Sequence, residues 1–299
     1  MKVGILGTGL MGAPMALQLQ ACGHEVVVYN RSDTKLQPLM DRGIVAKGTA
    51  SEVLKSTDCT ILMLADATAI SETLLTPTAA AALANHTVIQ MGTIAPDESR
   101  HLLAQVTAAG GAYLEAPVLG SIPQIKTGSL IVMVGSTAAQ FEQWQPLLQG
   151  LGNQVTHLGP VGAGAAVKLA MNQLIGSLTA AFAQSLALVQ REAIAVDQFM
   201  EIVRHSALYA PTFDKKLGRM CDRDFDNPNF PTKHLLKDMK LFSQAATAAG
   251  IVPTVADSVA ALVEQAIAQG LADQDYSALY AAVNPAPAEA PDANFPKSQ

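Results

Sequence analysis

A glycine loop constrains the first half of this chain more than any other feature. Lys2-Val3-Gly4-Ile5-Leu6 reads as a short buried strand, Gly7-Thr8-Gly9-Leu10-Met11-Gly12 follows at once, and a helix-forming stretch runs from Ala13 to Ala21. Such a glycine run alone is weak evidence, because glycines are common in loops. Placed between a strand and a helix, with a second strand ending at Tyr29, it is the pattern of a dinucleotide cradle. Gly7 then permits the tight turn, Gly9 lets the backbone approach a pyrophosphate, and Gly12 lets the helix pack close on the strand. Thr8, Leu10 and Met11 complete the loop around phosphates at the helix N-terminus. The plain alternative is a structural strand-to-helix turn.

Further runs rich in Val, Ile and Leu alternate with helical patterns at Val26 to Tyr29, Thr60 to Leu64, Thr87 to Gln90, Ala112 to Glu115, Leu130 to Val134 and Val155 to Leu158. Apolar strands separated by helices predict a parallel sheet covered on both faces. After Gly159-Pro160 the strand signals stop, and helical periodicity takes over from Gly164 to about Ala282. With 299 residues, 49 % of them hydrophobic, the chain can bury cores for two domains. The expected fold class is α/β: an N-terminal Rossmann-type, doubly wound parallel sheet over 1–161, then an all-helical domain for substrate and oligomerisation over 162–284. A long helix from Gly164 to about Ile194 joins them. Further helices are expected from Val196 to Ser206, Leu235 to Ala249 and Pro253 to Gln269. Residues 285–299 are too rich in Pro and Ala to pack, and a disordered tail is expected there. The Ala, Leu and Ile content of the long helix leaves little polar face, which predicts burial between domains or between copies in a homodimer or homotetramer.

Charge and cysteine usage narrow the functional classes. A formal net charge of −6 offers no basic footprint, which argues against a nucleic-acid partner. Cys22, Cys59 and Cys221 are scattered and odd in number, fitting buried small hydrophobes in a reducing compartment rather than a disulfide framework. The strand pattern begins at once, without the n-region and apolar run of a signal peptide, so a cytoplasmic protein is expected. Lys168, Asn172, Gln173 and Gln184 interrupt the apolar stretch from Ala165 to Val189, so no membrane span is expected. His24, His86, His101, His157, His205 and His234 show neither metal-ligand spacing nor a nucleophile motif; they are expected at the surface or in caps, and no metal site is expected.

The residues after the second strand bear on the choice of cofactor. NAD enzymes tend to carry an acid about 20 residues beyond the loop, where this chain has Asn30, Arg31 and Ser32. Arg31 can pair with a 2′-phosphate and Lys35 adds charge, so NADP(H) is the expected cofactor. The alternative is a turn whose Arg31 faces solvent. Two more loops follow strand ends, Leu64-Ala65-Asp66 and Gly92-Thr93-Ile94-Ala95-Pro96. Leu64, Ala65 and Thr93 are candidate cofactor contacts, Thr93 on the nicotinamide side or as an N-cap for the helix entered at Pro96.

A second glycine motif carries the chemistry. Gly162-Ala163-Gly164-Ala165-Ala166-Val167-Lys168-Leu169-Ala170-Met171-Asn172 places a lone lysine and an asparagine four residues apart on one helix face. Hydride reduction of a carbonyl leaves an oxyanion that needs a proton donor within hydrogen-bond reach. Apolar neighbours desolvate Lys168 and lower its pKa toward neutrality, which makes it the candidate acid/base. Asn172 is placed to hold the lysine or the substrate oxygen.

Four motifs in order resemble the β-hydroxyacid dehydrogenase family, which includes 3-hydroxyisobutyrate dehydrogenase, tartronate semialdehyde reductase and the glyoxylate and succinic semialdehyde reductases. They are Gly7 to Gly12, Glu115-Ala116-Pro117-Val118-Leu119-Gly120-Ser121, Gly162 to Asn172, and Phe230 followed by Leu236-Lys237-Asp238-Met239. The resemblance spans Lys2 to about Ala282. It implies that Lys168 is the catalytic lysine, that Lys237 is associated with the cofactor, and that the 115–121 segment is the substrate loop. The family usually has serine after Pro-Val; this chain has Leu119. Backbone N–H groups of Gly120 and Ser121 and the Ser121 hydroxyl are then the candidate anion nest, with Phe230 walling the pocket and Asp238 brought to the cleft by its motif. The implied activity is NADPH-dependent reduction of small aldehyde or keto acids, reversible as dehydrogenation of hydroxy acids. Imine reduction on the same scaffold and a non-catalytic NADP-binding scaffold are the alternatives.

Overall fold

Alternation along each strand decides which apolar residues face which side of the sheet. In the computed structural model, which describes residues 1–285, Ile61, Ile89 and Leu114 belong to one buried apolar cluster, while their neighbours Leu62, Val88 and Tyr113 belong to another. Strands apolar at successive positions are buried on both faces. The chain divides into two compact units, Met1–Leu174 with Lys237–Asp257, and Ile175–Leu236 with Ser258 onward. Of the tail expected over 285–299, residues 286–299 lie outside the described residues.

The first unit holds β1 (Lys2–Leu6), β2 (Glu25–Tyr29), β3 (Val45–Ala46), β4 (Cys59–Leu62), β5 (Thr87–Gln90), β6 (Ala112–Glu115), β7 (Val118–Leu119), β8 (Ile131–Gly135) and β9 (Gln154–Gly159). They form one sheet in the order β3-β2-β1-β4-β5-β6-β8-β7, with β9 paired to β8. Strands β1 to β6 pair in parallel, and the order reverses between β1 and β4, the switch point at which such sheets bind ligands. Connecting them are α1 (Gly12–Ala21), α2 (Gln37–Met40), α3 (Ala50–Ser56), α4 (Ala67–Leu74), α5 (Pro77–Ala80), α6 (Pro96–Ala108), α7 (Ile122–Lys126) and α8 (Ala138–Gln149). The Rossmann-type sheet is as expected, with one refinement: β8 runs antiparallel to β6 and β7. Only α7 and a turn at Gly128, φ +60°, separate β7 from β8, a connection too short for a parallel crossover.

Next come α9 (Ala163–Arg191), α10 (Val196–His205), α11 (Pro211–Asp222), α12 (Thr232–Ala248), α13 (Thr254–Ala268) and α14 (Leu279–Val283). This all-helical succession is also as expected, with α11 and α14 in addition. In the second unit Phe182 stacks on Phe213 with ring centroids 4.7 Å apart. Beside them Lys216 and Asp275 form a buried ion pair at 2.7 Å, with the ammonium 4.1 Å from the Tyr276 ring centroid. Along α9, Phe182, Ala183 and Leu186 are buried, whereas Leu174 and Leu188 are 50 % and 64 % exposed. No helix among the described residues is long and apolar enough to cross a membrane.

Three local expectations need correction. Cys59 is buried, but Cys22 and Cys221 are exposed, each on the outward side of a helix end. His86 is not a surface residue: it is buried and bonds Thr60 Oγ1 at 2.8 Å, and burial pulls its pKa down to about 4. Strand β4 stops at Leu62, so Leu64 already belongs to the loop.

Candidate active site

Each glycine of the first loop answers to a separate steric demand. Gly7 has φ +98°, donates its N–H to Tyr29 O at 2.9 Å, and a Cβ there would come 2.4 Å from Met63 O. At Gly12 a Cβ would come 1.9 Å from Gly7 O, whereas at Gly9 it would meet nothing within 4 Å. The loop is therefore tight where helix meets strand and open at its crest, the shape a pyrophosphate needs. Thr8 Oγ1 is buried without a hydrogen-bond partner among the described residues, a donor fitted to a phosphate oxygen. Asn30 Oδ1 accepts from Thr8 N at 3.1 Å and its Nδ2 donates to Ser32 O at 3.0 Å, pinning the loop to the end of β2. Arg31 and Lys35 are exposed. Leu10, 45 % exposed, and Met11, preceding α1, complete the rim. These residues fit a dinucleotide.

The loops after β4 and β5 are joined by Lys237 of α12. Its Nζ donates to Ala65 O at 3.0 Å and Thr93 O at 2.6 Å and lies 3.2 Å from Asp238 Oδ1. A Cβ on Gly92 would come 2.8 Å from Leu64 O, so Leu64, Ala65 and Thr93 form one rim at the carboxyl ends of adjacent strands. Helix α6 is capped at Ala95, whose N–H donates to Glu98 Oε2 at 2.7 Å. Thr93 is therefore not the N-cap.

Lys168 and Asn172 project from the first turns of α9 in the same unit. Asn172 is buried and donates from Nδ2 to Asp238 Oδ2 at 2.6 Å. Lys168 is partly buried along its length, and desolvation of its ammonium lowers its pKa to about 8; the Asp238 carboxylate opposes that shift and Lys237 adds to it. An ammonium with such a pKa gives or takes a proton near neutral pH. Asp238 thus touches Asn172 and Lys237 and acts on Lys168.

The 115–121 segment is built differently from a simple anion nest. Gly120 has φ +128°. Ser121 donates both its N–H and its hydroxyl to Gln124 Oε1, each at 3.0 Å, because Ser121 and Gln124 form the capping box of α7. Leu119, half-buried, pairs in register with Ile131. Phe230 belongs to the second unit, where it packs edge-on against Tyr276 at 5.5 Å. Sequence reasoning missed Glu115 as more than a motif letter: its buried carboxylate accepts N–H groups from the start of α9.

A dinucleotide cradle at a sheet switch point, with a neutral-range lysine in the same unit, defines an NAD(P)-dependent oxidoreductase. Residues 2–159 match the family model of the NAD binding domain of 6-phosphogluconate dehydrogenase. Residues 162–283 match that described as NAD-binding of NADP-dependent 3-hydroxyisobutyrate dehydrogenase. The chain is 33 % identical to glyoxylate/succinic semialdehyde reductase 1 of Arabidopsis thaliana, covering 95 % of this chain and 98 % of that one. It is 31 % identical to 2-hydroxy-3-oxopropionate reductase of Escherichia coli, covering 95 % and 97 %. A solved 3-hydroxyisobutyrate dehydrogenase from Salmonella typhimurium has a TM-score of 0.83 at 25 % identity, covering 93 % and 98 %. The chain belongs to the β-hydroxyacid dehydrogenase family.

Proposed function

We propose that this protein reduces small aldehyde or keto acids, of the glyoxylate and succinic semialdehyde type, with NADPH, and runs in reverse as a hydroxy acid dehydrogenase. The observation that carries the proposal is the Lys168 ammonium, its pKa lowered to about 8, on the same helix as an asparagine bonded to Asp238. Gly7 to Gly12 would cradle the pyrophosphate; Asn30, Arg31, Ser32 and Lys35 would hold the adenosine end and its 2′-phosphate; Leu64, Ala65, Thr93 and Lys237 would line the nicotinamide side. The bound cofactor supplies the hydride. Lys168 gives its proton to the carbonyl oxygen as the carbon is reduced, and solvent restores it; in reverse the neutral amine takes the hydroxyl proton. Asn172, held by Asp238, orients the substrate. Gly120 and Ser121 bind its carboxylate, Ser121 by turning from Gln124.

Residues 162–284 would bind substrate and make a homodimer or homotetramer, a reading supported by the exposed Leu174 and Leu188 of α9. Three free cysteines suit a cytoplasmic setting. The retained lysine favours carbonyl over imine reduction. The test is NADPH consumption against glyoxylate, succinic semialdehyde, methylmalonate semialdehyde and tartronate semialdehyde, repeated with NADH and with Lys168→Met. Turnover of one acid, stronger with NADPH and lowered about 100-fold or more by Lys168→Met, is the expected result. Unchanged turnover in that variant overturns the mechanism, and tight NADPH binding without turnover of any of the acids favours the scaffold alternative.

A further inference from the structure

Glu115 ends β6 with its carboxylate buried, yet no Lys, Arg or His among the described residues pairs with it. Its partners are of another kind. Oε1 accepts Gly162 N at 2.7 Å and Ala165 N at 3.0 Å, N–H groups at the start of α9 that have no acceptor within the helix. Oε2 accepts the Ser99 hydroxyl in a short bond, and Ser99 Oγ in turn bonds Tyr113 OH at 2.9 Å. Two glycines make the slot: a Cβ on Gly135 would come 2.4 Å from Glu115 Oε1, and one on Gly164 3.2 Å. The negative charge sits at the positive end of the helix dipole. A charge buried with only N–H and O–H partners, in a slot cleared by two glycines, is more than a generic cap needs, since an exposed Ser or Asp would satisfy the same donors.

What the carboxylate holds together is specific. Lys168 lies three residues beyond Ala165 on α9, and β7, which leads into the loop at Gly120 and Ser121, begins three residues beyond Glu115. We propose that Glu115 is a positioning residue for Lys168: it fixes the first turn of α9 against the end of β6 and so sets where the lysine stands relative to the loop. This rests on the reading of Lys168 as the proton donor. The charged groups that act on Lys168 are Asp238 and Lys237, and the test alters neither.

Two variants separate geometry from charge. In Glu115→Gln the amide oxygen still accepts Gly162 N and Ala165 N, while the amide nitrogen donates to Ser99 Oγ, whose proton turns to Tyr113. In Glu115→Asp the charge stays but the carboxylate is withdrawn by one methylene, so α9 must shift to follow it. Full-length protein is assayed for kcat, for NADPH affinity by fluorescence titration, and for the Lys168 titration midpoint by NMR of 13C-labelled lysine, assigned with Lys168→Met. Glu115→Asp is expected to lower kcat about tenfold to a hundredfold while NADPH affinity holds within about twofold, and to displace the Lys168 midpoint. Glu115→Gln is expected to keep kcat within about threefold and the midpoint near that of the wild type. An unmoved midpoint in folded Glu115→Asp overturns the positioning role, as does a fall in kcat that merely follows the loss of folded, NADPH-binding protein. Because the midpoint is read without turnover, a failure of the reductase reading leaves it intact and is seen separately as an inactive wild type.

Discussion

At the scale of single residues, three charges share one neighbourhood. Desolvation lowers the Lys168 pKa, the Asp238 carboxylate raises it and Lys237 lowers it, for a value of about 8. Asp238→Asn removes the one influence that favours the ammonium, so the proton should leave at lower pH. If Lys168 is the proposed proton donor, reduction needs it protonated; the basic limb of kcat/KM for reduction should therefore move to lower pH, by about one unit, or about 1.4 kcal/mol. The acidic limb of the reverse reaction, which needs the free amine, should move the same way. Profiles of both directions check this, and a fixed limb in a folded variant contradicts it. Lys168 and Asn172 were legible in the sequence because a lysine and an asparagine four apart on an apolar helix stand out. The bond from Asn172 to Asp238 was not, because it spans 66 residues and no local period encodes it. Glu115 was hidden for the same reason, its contacts lying 47 and 50 residues away.

At the scale of elements, the β1–α1 turn shows how one motif meets two separate demands. A methyl on Gly12 would press on Gly7 O at 1.9 Å, against backbone that cannot yield, while one on Gly9 meets nothing within 4 Å. Gly12→Ala should therefore part α1 from β1 and destabilise the first unit by about 1–3 kcal/mol. Gly9→Ala should leave stability within about 0.5 kcal/mol and, if the loop cradles the pyrophosphate as proposed, weaken NADPH binding about tenfold or more, because the methyl would stand where the backbone approaches it. Thermal melting beside NADPH titration separates the two; equal losses in both variants would refute the division of labour. The apolar strands around this turn, of four or five residues, were readable from their runs. Two-residue strands such as β3 and β7 are too short to show a period, and the antiparallel direction of β8 is set by the short α7 connection rather than by anything in the strand.

At the scale of the whole molecule, the question is whether the two units unfold as one. Helices α9, α12 and α13 each cross the division between them, after Leu174, Leu236 and Asp257. A helix is cooperative along its length, so loss of structure on one side of the division should propagate through these segments. The Lys216–Asp275 pair tests this from the second unit, since both groups are buried. Lys216→Met keeps an apolar stem against the Tyr276 ring but leaves the Asp275 carboxylate with only Ser277 N at 3.1 Å and the Ser277 hydroxyl at 2.7 Å as donors to Oδ1. Breaking such a buried pair costs about 3–5 kcal/mol. Trp144, the single tryptophan of the chain, is buried in the first unit, so its fluorescence reports on the side that was not mutated. If the units are coupled, urea unfolding of Lys216→Met should move the Trp144 transition and the far-UV helical transition together to lower denaturant. An unmoved Trp144 midpoint, with an earlier phase in the helical signal alone, would mean that the shared helices break at the division and that each unit is stable in its own right.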